Sequence, residues 1–238
     1  MTPSQLLHTP AIDGNVGVVI TAAGTSQRMM GLDKVFEPLL GKPLISHTVS
    51  AFEECPEVSE IVLVLSSDNL DRGNKLAAQE GWGKLKQICP GGQRRQDSVR
   101  IGLENLSGCQ WIMIHDGARP CITQELIKRA LREVKTTGAA IPAIALSDTI
   151  KEVNPEGTVQ KTLIRESLRA TQTPQVFRYS LLWQAYQGNL DGATDDASLV
   201  ERLRYPVSTF LGAPENIKVT TQVDLDLAKA ILSSRGKL

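Results

Sequence analysis

Residues 16–29 read VGVVITAAGTSQRM, and this stretch decides how the rest of the chain is read. Its first six residues, β-branched except for Gly17 and apolar up to Thr21, make a run of strand length, which suits a strand buried on both faces. The remainder turns to small and polar residues and carries Arg28, with Lys34 shortly after. A buried strand running into a small-residue loop is the opening unit of an open α/β sheet, where ligands sit beyond the carboxyl ends of the strands.

Outward from this unit the same alternation repeats. Apolar runs at 61–65 (IVLVL), 85–89, 111–114 (WIMI) and 139–143 read as further strands. Between them, 43–52, 69–80, 95–106 and 123–134 read as helices. Pro43 suits a first helical turn, Thr123 suits an N-cap, and Val99, Leu103 and Leu106 fall at helical spacing. Strands alternating with helices imply a mostly parallel sheet with helices on both faces. After Leu146 the pattern breaks. Residues 149–153 (TIKEV), the turn 154–157 (NPEG) and 158–163 (TVQKTL) read as a hairpin. Such a hairpin has two open edges and projects as an arm that pairs with another chain. An extended piece at 170–173, helices at 178–186 and 197–204, a strand at 207–210, a strand-like piece around Lys218 and a helix at 223–232 complete the chain. The expected organisation is one domain at 16–238, with 147–172 as the inserted arm. Residues 1–15 lack the basic start and apolar core of a signal peptide and read as a flexible tail.

Composition removes several function classes. Lys plus Arg and Asp plus Glu are 26 each, so the chain lacks the basic field of a non-specific nucleic-acid binder. No apolar run reaches the ~18 residues of a spanning helix, so no membrane partner is expected. The four cysteines form no C-x-x-C pair and the three histidines are scattered, which argues against a structural zinc site. Unpatterned cysteines fit a reducing, cytoplasmic setting.

Three strand ends carry candidate chemistry. At the first, Ala22, Ala23 and Gly24 leave the backbone open to a ligand, and Arg28 and Lys34 supply charge for a polyphosphate. The segment reads equally as an ordinary strand-to-helix turn with two surface cations. It has neither G-x-G-x-x-G nor G-x-x-x-x-G-K-[ST], so dinucleotide and P-loop readings fail. At the second, PGGQRRQDSV (90–99), Gly91 and Gly92 allow positive φ and exposed amides, while Ser98 reads a base edge or makes a helix-start hydrogen bond. Arg94 is either a phosphate ligand or solvated. At the third, HDGARP (115–120), Asp116 suits Mg²⁺ and Arg119 suits a bidentate phosphate contact, against the simpler reading of an Asp–Arg surface pair. His115 reads as a packed, hydrogen-bonded residue. Further on, Thr194 precedes two acidic residues that suit a helix start, and Lys218 lies in ENIKVT.

AAGTSQRM…DK, GGQRRQDSV, HDGARP, DTIK…IRESLRATQTPQ with TDDAS, and ENIKVT follow one another in this chain. In that order they resemble the 2-C-methyl-D-erythritol 4-phosphate cytidylyltransferases of the non-mevalonate isoprenoid pathway. The resemblance implies a Rossmann-like nucleotidyltransferase fold whose β-arm clasps a second subunit in a homodimer. It implies transfer of CMP from CTP to 2-C-methyl-D-erythritol 4-phosphate, with Mg²⁺ as the metal. Ala22, Ala23 and Gly24 would line the CTP site. Arg28 and Lys34 would contact the triphosphate, and Gly92 and Ser98 would help select cytosine. Asp116 would lie at the metal and ribose-phosphate centre. Arg119, Thr194 and Lys218 would hold the acceptor phosphate, and Thr149 and Arg165 would reach the partner's site. The chain departs from the pattern at Ser26, where many relatives have a second glycine. It has DKVF where many have PKQY, and Gly117 where alanine is common, a mild exchange by size. The rivals are a cytidylyltransferase acting on ribitol 5-phosphate and a nucleotide-binding regulatory protein without turnover. A nicotinamide dehydrogenase is rejected for want of its glycine fingerprint.

Overall fold

The computed structural model describes residues 13–24 and 34–235. Most of the expected tail, and the expectations for Ser26 and Arg28, lie outside the described residues.

The chain enters through β1 (Val16–Ala22) and resumes at a 3₁₀ turn, Lys34–Phe36. A small ribbon follows, β2 (Pro38–Leu39) with β3 (Lys42–Pro43), then α1 (Leu44–Glu53), β4 (Glu60–Leu65), α2 (Leu70–Glu80) and β5 (Leu85–Pro90). Next come α3 (Arg95–Glu104), β6 (Trp111–Asp116), α4 (Gln124–Thr137) and β7 (Ala139–Ala145). Beyond the hairpin β8 (Lys151–Val153) and β9 (Val159–Thr162) lie β10 (Arg169–Thr171), β11 (Gln175–Arg178), α5 (Tyr179–Tyr186), α6 (Asp196–Arg202), β12 (Ser208–Leu211) and α7 (Gln222–Arg235).

β1 is central, parallel to β4 on one side and β6 on the other, and β5 continues parallel to β4. The parallel order is interrupted once, where β11 runs antiparallel between β6 and β7. β7 also carries β10 antiparallel and β12 parallel. Its adjacent carbonyls at Pro142 and Ala143 accept from Gln172 and Gly212 respectively, so these neighbours lie on opposite edges. The result is a Rossmann-like, mostly parallel sheet.

Side-chain alternation along the strands builds a core on each face. Val16, Val18 and Ile20 of β1 join Ile61, Leu63 and Leu65 of β4 in one cluster, against α1 and α4 residues such as Val49, Phe52 and Ile127. Val19, Val62 and Val64 point the other way, toward Val99 and Leu103 of α3 and Leu182 of α5. Gly102 sets the spacing on that face: a Cβ there would stand 2.4 Å from Val19 Cγ1. Thr123 caps α4, its hydroxyl accepting from Leu126 N at 3.2 Å.

Two expectations need correction. Residues around Lys218 form no strand, because that segment passes over the end of the sheet with Val219 N bonded to Ala118 O. Arg178 ends a strand rather than starting a helix, because residues 175–178 bond to β6 and β7 before α5 begins. The hairpin forms its own two-stranded sheet, and every residue of β8 and β9 is exposed. All four cysteines are free and buried, and burial pushes each thiol up to about 11.

Candidate active site

β1 and β6 run in register so that Thr21 pairs with Asp116, and both strands end at the same sheet edge. A cleft opens there. Ala22, Ala23 and Gly24 form part of its wall, with Lys34 and Val35 from the 3₁₀ turn and Ser98 from α3. Arg95, Asp116 and Lys218 complete the charged side. Segments from opposite ends of the chain thus converge at the carboxyl ends of β1 and β6, as the open-sheet rule requires.

The loop after β5 is shaped by close approach. Neither Gly91 nor Gly92 has a positive φ, contrary to the sequence reading. Instead, a Cβ on Gly91 would stand 2.3 Å from Ala23 Cβ, and one on Gly92 would stand 2.4 Å from Asp97 Cβ. Glycine lets this loop lie flat against the β1 loop and the start of α3. Ser98 locks it: its hydroxyl accepts from Gly92 N at 3.1 Å and donates to Arg94 O at 3.3 Å. Arg94 does not line the cleft: of its two readings the exposed one holds, its guanidinium pairing at the surface with Asp97 at 2.9 Å and Asp191 at 2.7 Å. Gly117 is also more constrained than its size suggests. A Cβ there would meet Ala22 Cβ at 2.8 Å and Thr21 O at 3.1 Å, since the two strand ends touch at this point.

Asp116 is the electrostatic centre. Lys218 Nζ lies 3.0 Å and Arg119 Nε 3.3 Å from its Oδ2, while Arg95 Nε lies 3.5 Å from its Oδ1. Burial opposes ionisation of this carboxyl. Lys218, Arg95 and Arg119 together outweigh burial and hold it well below the usual carboxylate range. Arg119 is fixed from behind, donating to Asn216 O at 2.7 Å. Asn216 Nδ2 in turn donates to Thr173 O at 2.7 Å. The simple reading of Asp116 and Arg119 as a surface pair therefore fails, because both are buried.

Arg95 was not singled out in the sequence, and it is the hinge of the network. Its guanidinium also reaches Asp196 Oδ2 at 2.7 Å, and Asp196 is fully buried. Tyr186 donates to the other oxygen of Asp196 at 2.5 Å. A signal was present: Arg95, Ser98, Val99 and Gly102 share one face of α3, and that face is the one turned inward. Among the described residues, three cations, Arg95, Arg119 and Lys218, converge on Asp116, with Arg95 shared with Asp196, and Lys34 lines the same cleft.

Other predicted residues stand apart. Thr149 and Thr194 are exposed and do not line the cleft. Asp195, not Thr194, caps α6, accepting from Ser198 N at 2.9 Å. Arg165 donates to Ser147 O at 2.6 Å across the base of the arm.

His115 is packed, as its sequence setting suggested. Arg119 O can only accept, so the neutral ring keeps Nδ1 as an acceptor for the Thr173 hydroxyl at 3.1 Å, whose oxygen also accepts from Asp116 N. Nε2 then carries the ring proton, toward Arg119 O at 3.4 Å. Burial, with Arg119 and Lys218 adding to it against Asp116, lowers the His115 pKa from 6.5 to about 3. Between these values the unfolded chain binds a proton that the folded chain refuses. Stability present above pH 6.5 should therefore be lost as pH falls toward 3. The steepest contribution is about 1.4 kcal/mol per pH unit. Urea midpoints from about pH 7 down to about pH 4.5 should fall, and His115→Gln should flatten that slope. An equal slope in the variant would remove His115 as the cause.

Among the described residues, no group of three or more His, Cys, Asp and Glu side chains is placed to hold a metal. Asp116 alone fits a hard cation whose other ligands are phosphate oxygens and water, the usual arrangement for Mg²⁺. No helix of the described residues is long and apolar enough to cross a membrane.

Comparison with known proteins agrees with this geometry. The family model described as IspD, 2-C-methyl-D-erythritol 4-phosphate cytidylyltransferase, matches residues 16–234. The protein of that name from Dehalococcoides mccartyi (strain CBDB1) is 50% identical over 221 residues, covering 93% of this chain and 97% of that one. The Alkaliphilus metalliredigens protein of the same name is 40% identical, covering 94% and 96%. The crystal structure of the 4-diphosphocytidyl-2C-methyl-D-erythritol synthase from Anaerococcus prevotii superposes with a TM-score of 0.83 at 28% identity, covering 94% and 98%.

Proposed function

The chain belongs to the 2-C-methyl-D-erythritol 4-phosphate cytidylyltransferase family, and from that premise we propose how its own residues carry the family's reaction. The reaction transfers CMP from CTP to 2-C-methyl-D-erythritol 4-phosphate. A phosphate oxygen of the acceptor forms a bond to the α-phosphorus of CTP. The bond from that phosphorus to the bridging oxygen breaks, and its electron pair leaves on pyrophosphate. The acceptor is already anionic at neutral pH, since a phosphate monoester's second pKa is about 6. No general base is needed, which accords with a His115 that is buried and bonded on both nitrogens. What the step does need is alignment of two polyanions and neutralisation of their charge.

The observation that carries the assignment of roles is the convergence of Lys34, Arg95 and Lys218 with Asp116 in one strand-end cleft, with Arg119 beside it. Ala22, Ala23 and Gly24 admit the nucleotide close to the backbone. Gly92 and Ser98 present the cytosine side. Lys34, with Arg28, meets the triphosphate. Lys218 and Arg119 hold the acceptor phosphate, a role this reading extends to Thr194 although it lies outside the cleft lining. In the free chain those two cations rest on Asp116, which serves as a stand-in anion until phosphate arrives. Asp116 is the residue that would hold Mg²⁺, with phosphate oxygens and water as its other ligands. A bound Mg²⁺ neutralises triphosphate charge.

The arm is the dimer contact in this reading. Val153 and Val159 are 56% and 60% exposed, and Ile164 is 73% exposed. A second copy would cover them, and Thr149 and Arg165 would complete the partner's acceptor site. The chain then works as one cytoplasmic domain, 16–238, with 147–172 as its arm, on small-molecule substrates alone. Lys34→Ala and Arg165→Ala chains, each poorly active alone, should regain turnover when refolded together, because mixed dimers hold one intact site. Absence of recovery in demonstrably mixed dimers would place Arg165 in its own subunit's site or in neither.

The substrate assignment is tested by pyrophosphate release with Mg²⁺ and CTP, comparing methylerythritol 4-phosphate with ribitol 5-phosphate. Turnover with the first alone is expected. Turnover with the second alone would keep the chemistry and change the acceptor.

A further inference from the structure

Lys34 opens a turn of three residues, and something must hold that turn at the sheet edge. Val35 and Phe36 are buried, so the turn is anchored on its carboxyl side. Glu37 N closes it on Lys34 O at 3.2 Å, and Leu44 N binds Glu37 O at 2.9 Å. The face of the Phe36 ring is covered by a residue from another element. The Arg72 guanidinium lies 4.3 Å from the ring centroid, and its Nη2 donates to Phe36 O at 3.4 Å.

Arg72 sits in the first turn of α2, and the next residue pins that turn. At Gly73 the helix approaches β4 so closely that a Cβ would stand 2.3 Å from Leu65 Cδ1. Leu65 is the last residue of β4, at the same end of the sheet as the cleft. The root of Arg72 is thus fixed to the sheet, and its guanidinium spans from that point to the turn bearing Lys34.

We infer that Arg72 is a positioning residue for nucleotidyl transfer: by clamping Phe36 from α2, it sets where Lys34 stands over the triphosphate. The inference rests on the role proposed above for Lys34. Arg72 does not line the cleft and is itself exposed, so it neither touches substrate nor fills the core. A merely structural Arg72 would change melting behaviour and leave kcat alone.

The test uses Arg72→Met and Arg72→Lys in the full chain, with kcat, both KM values and thermal melting, and Arg72→Met again in a Lys34→Ala background. Arg72→Met should lower kcat roughly two- to fivefold, the scale of an exposed cation–π contact. KM for the acceptor should hold, and Arg72→Lys should recover most of the loss by keeping a cation over the ring. With Lys34 already removed, Arg72→Met should cost nothing more. An unchanged kcat in Arg72→Met would overturn the inference, as would the same loss repeated without Lys34. Normal turnover in Lys34→Ala alone would instead overturn the role of Lys34.

Discussion

Lys34→Ala is expected to lower kcat by ~10²–10³, the usual cost of removing one preorganised electrostatic contact from a charge-transfer step. Lys34 is half-buried and lines the cleft, while its neighbours Val35 and Phe36 do the packing that fixes the turn. Truncation therefore removes charge from the site without opening the core, and the melting temperature should stay close to that of the parent. The expected loss falls on kcat more than on KM, because negative charge shifts onto the leaving pyrophosphate as the bond breaks. Lys34→Arg should recover only part of the activity. The guanidinium is larger and planar, and does not place its charge where a compact ammonium does. Single-turnover rates with saturating CTP separate the chemical step from binding. A Lys34→Ala enzyme within a few-fold of the parent would end the assignment.

Arg95→Met is expected to damage stability and turnover together, and a second substitution should separate them. The arginine bridges a fully buried carboxylate, Asp196, to the cleft carboxylate, Asp116. Removing one partner of a buried pair strands the other, at about 3–5 kcal/mol. The Arg95 side chain keeps 29% of its surface exposed, so water relieves part of that penalty and the lower end, about 3 kcal/mol, applies. Adding Asp196→Asn should restore most of the stability, because an amide can still accept from Tyr186 and no buried charge is left alone. It should not restore turnover, because Asp116 has still lost one of its three cations. Urea unfolding and steady-state kinetics on the two variants decide the matter. Recovery of both quantities together would make Arg95 a purely structural residue. Parent-like stability in Arg95→Met would mean that Asp196 is not stranded at all.

The parts of this fold that were legible in the sequence are those written in short-range pattern. The run at 16–21 was legible as a buried strand because Val16, Val18, Val19 and Ile20 put apolar, β-branched side chains on both faces. The helix after β5 could be read from Val99 and Leu103 at helical spacing, and the cap of α4 from Thr123. Asp116 and Ala22–Gly24 could be placed at strand ends because the polarity change along the chain is abrupt there. Even the arm was visible, since its turn residues and alternation are local.

Other features required the chain to come together. β11 was missed, and its last residue, Arg178, was read as a helix start, because only four residues, QVFR, separate Pro174 from α5, and their pairing is with strands far away in sequence. Arg94 and Arg95 are adjacent and chemically identical. One turns outward to Asp97 and Asp191, and the other turns inward to Asp116 and Asp196. The glycines at 91 and 92 were expected to serve backbone conformation and instead serve contact, which depends on how near Ala23 and Asp97 come. Periodicity records which face of an element is buried, and composition records which charges are available. Which charges meet across the sheet edge is set by contacts between residues about a hundred positions apart, as between Arg95 and Asp196 or Asp116 and Lys218. Such contacts leave no trace in local pattern, because their energy exists only once packing has excluded the water between them.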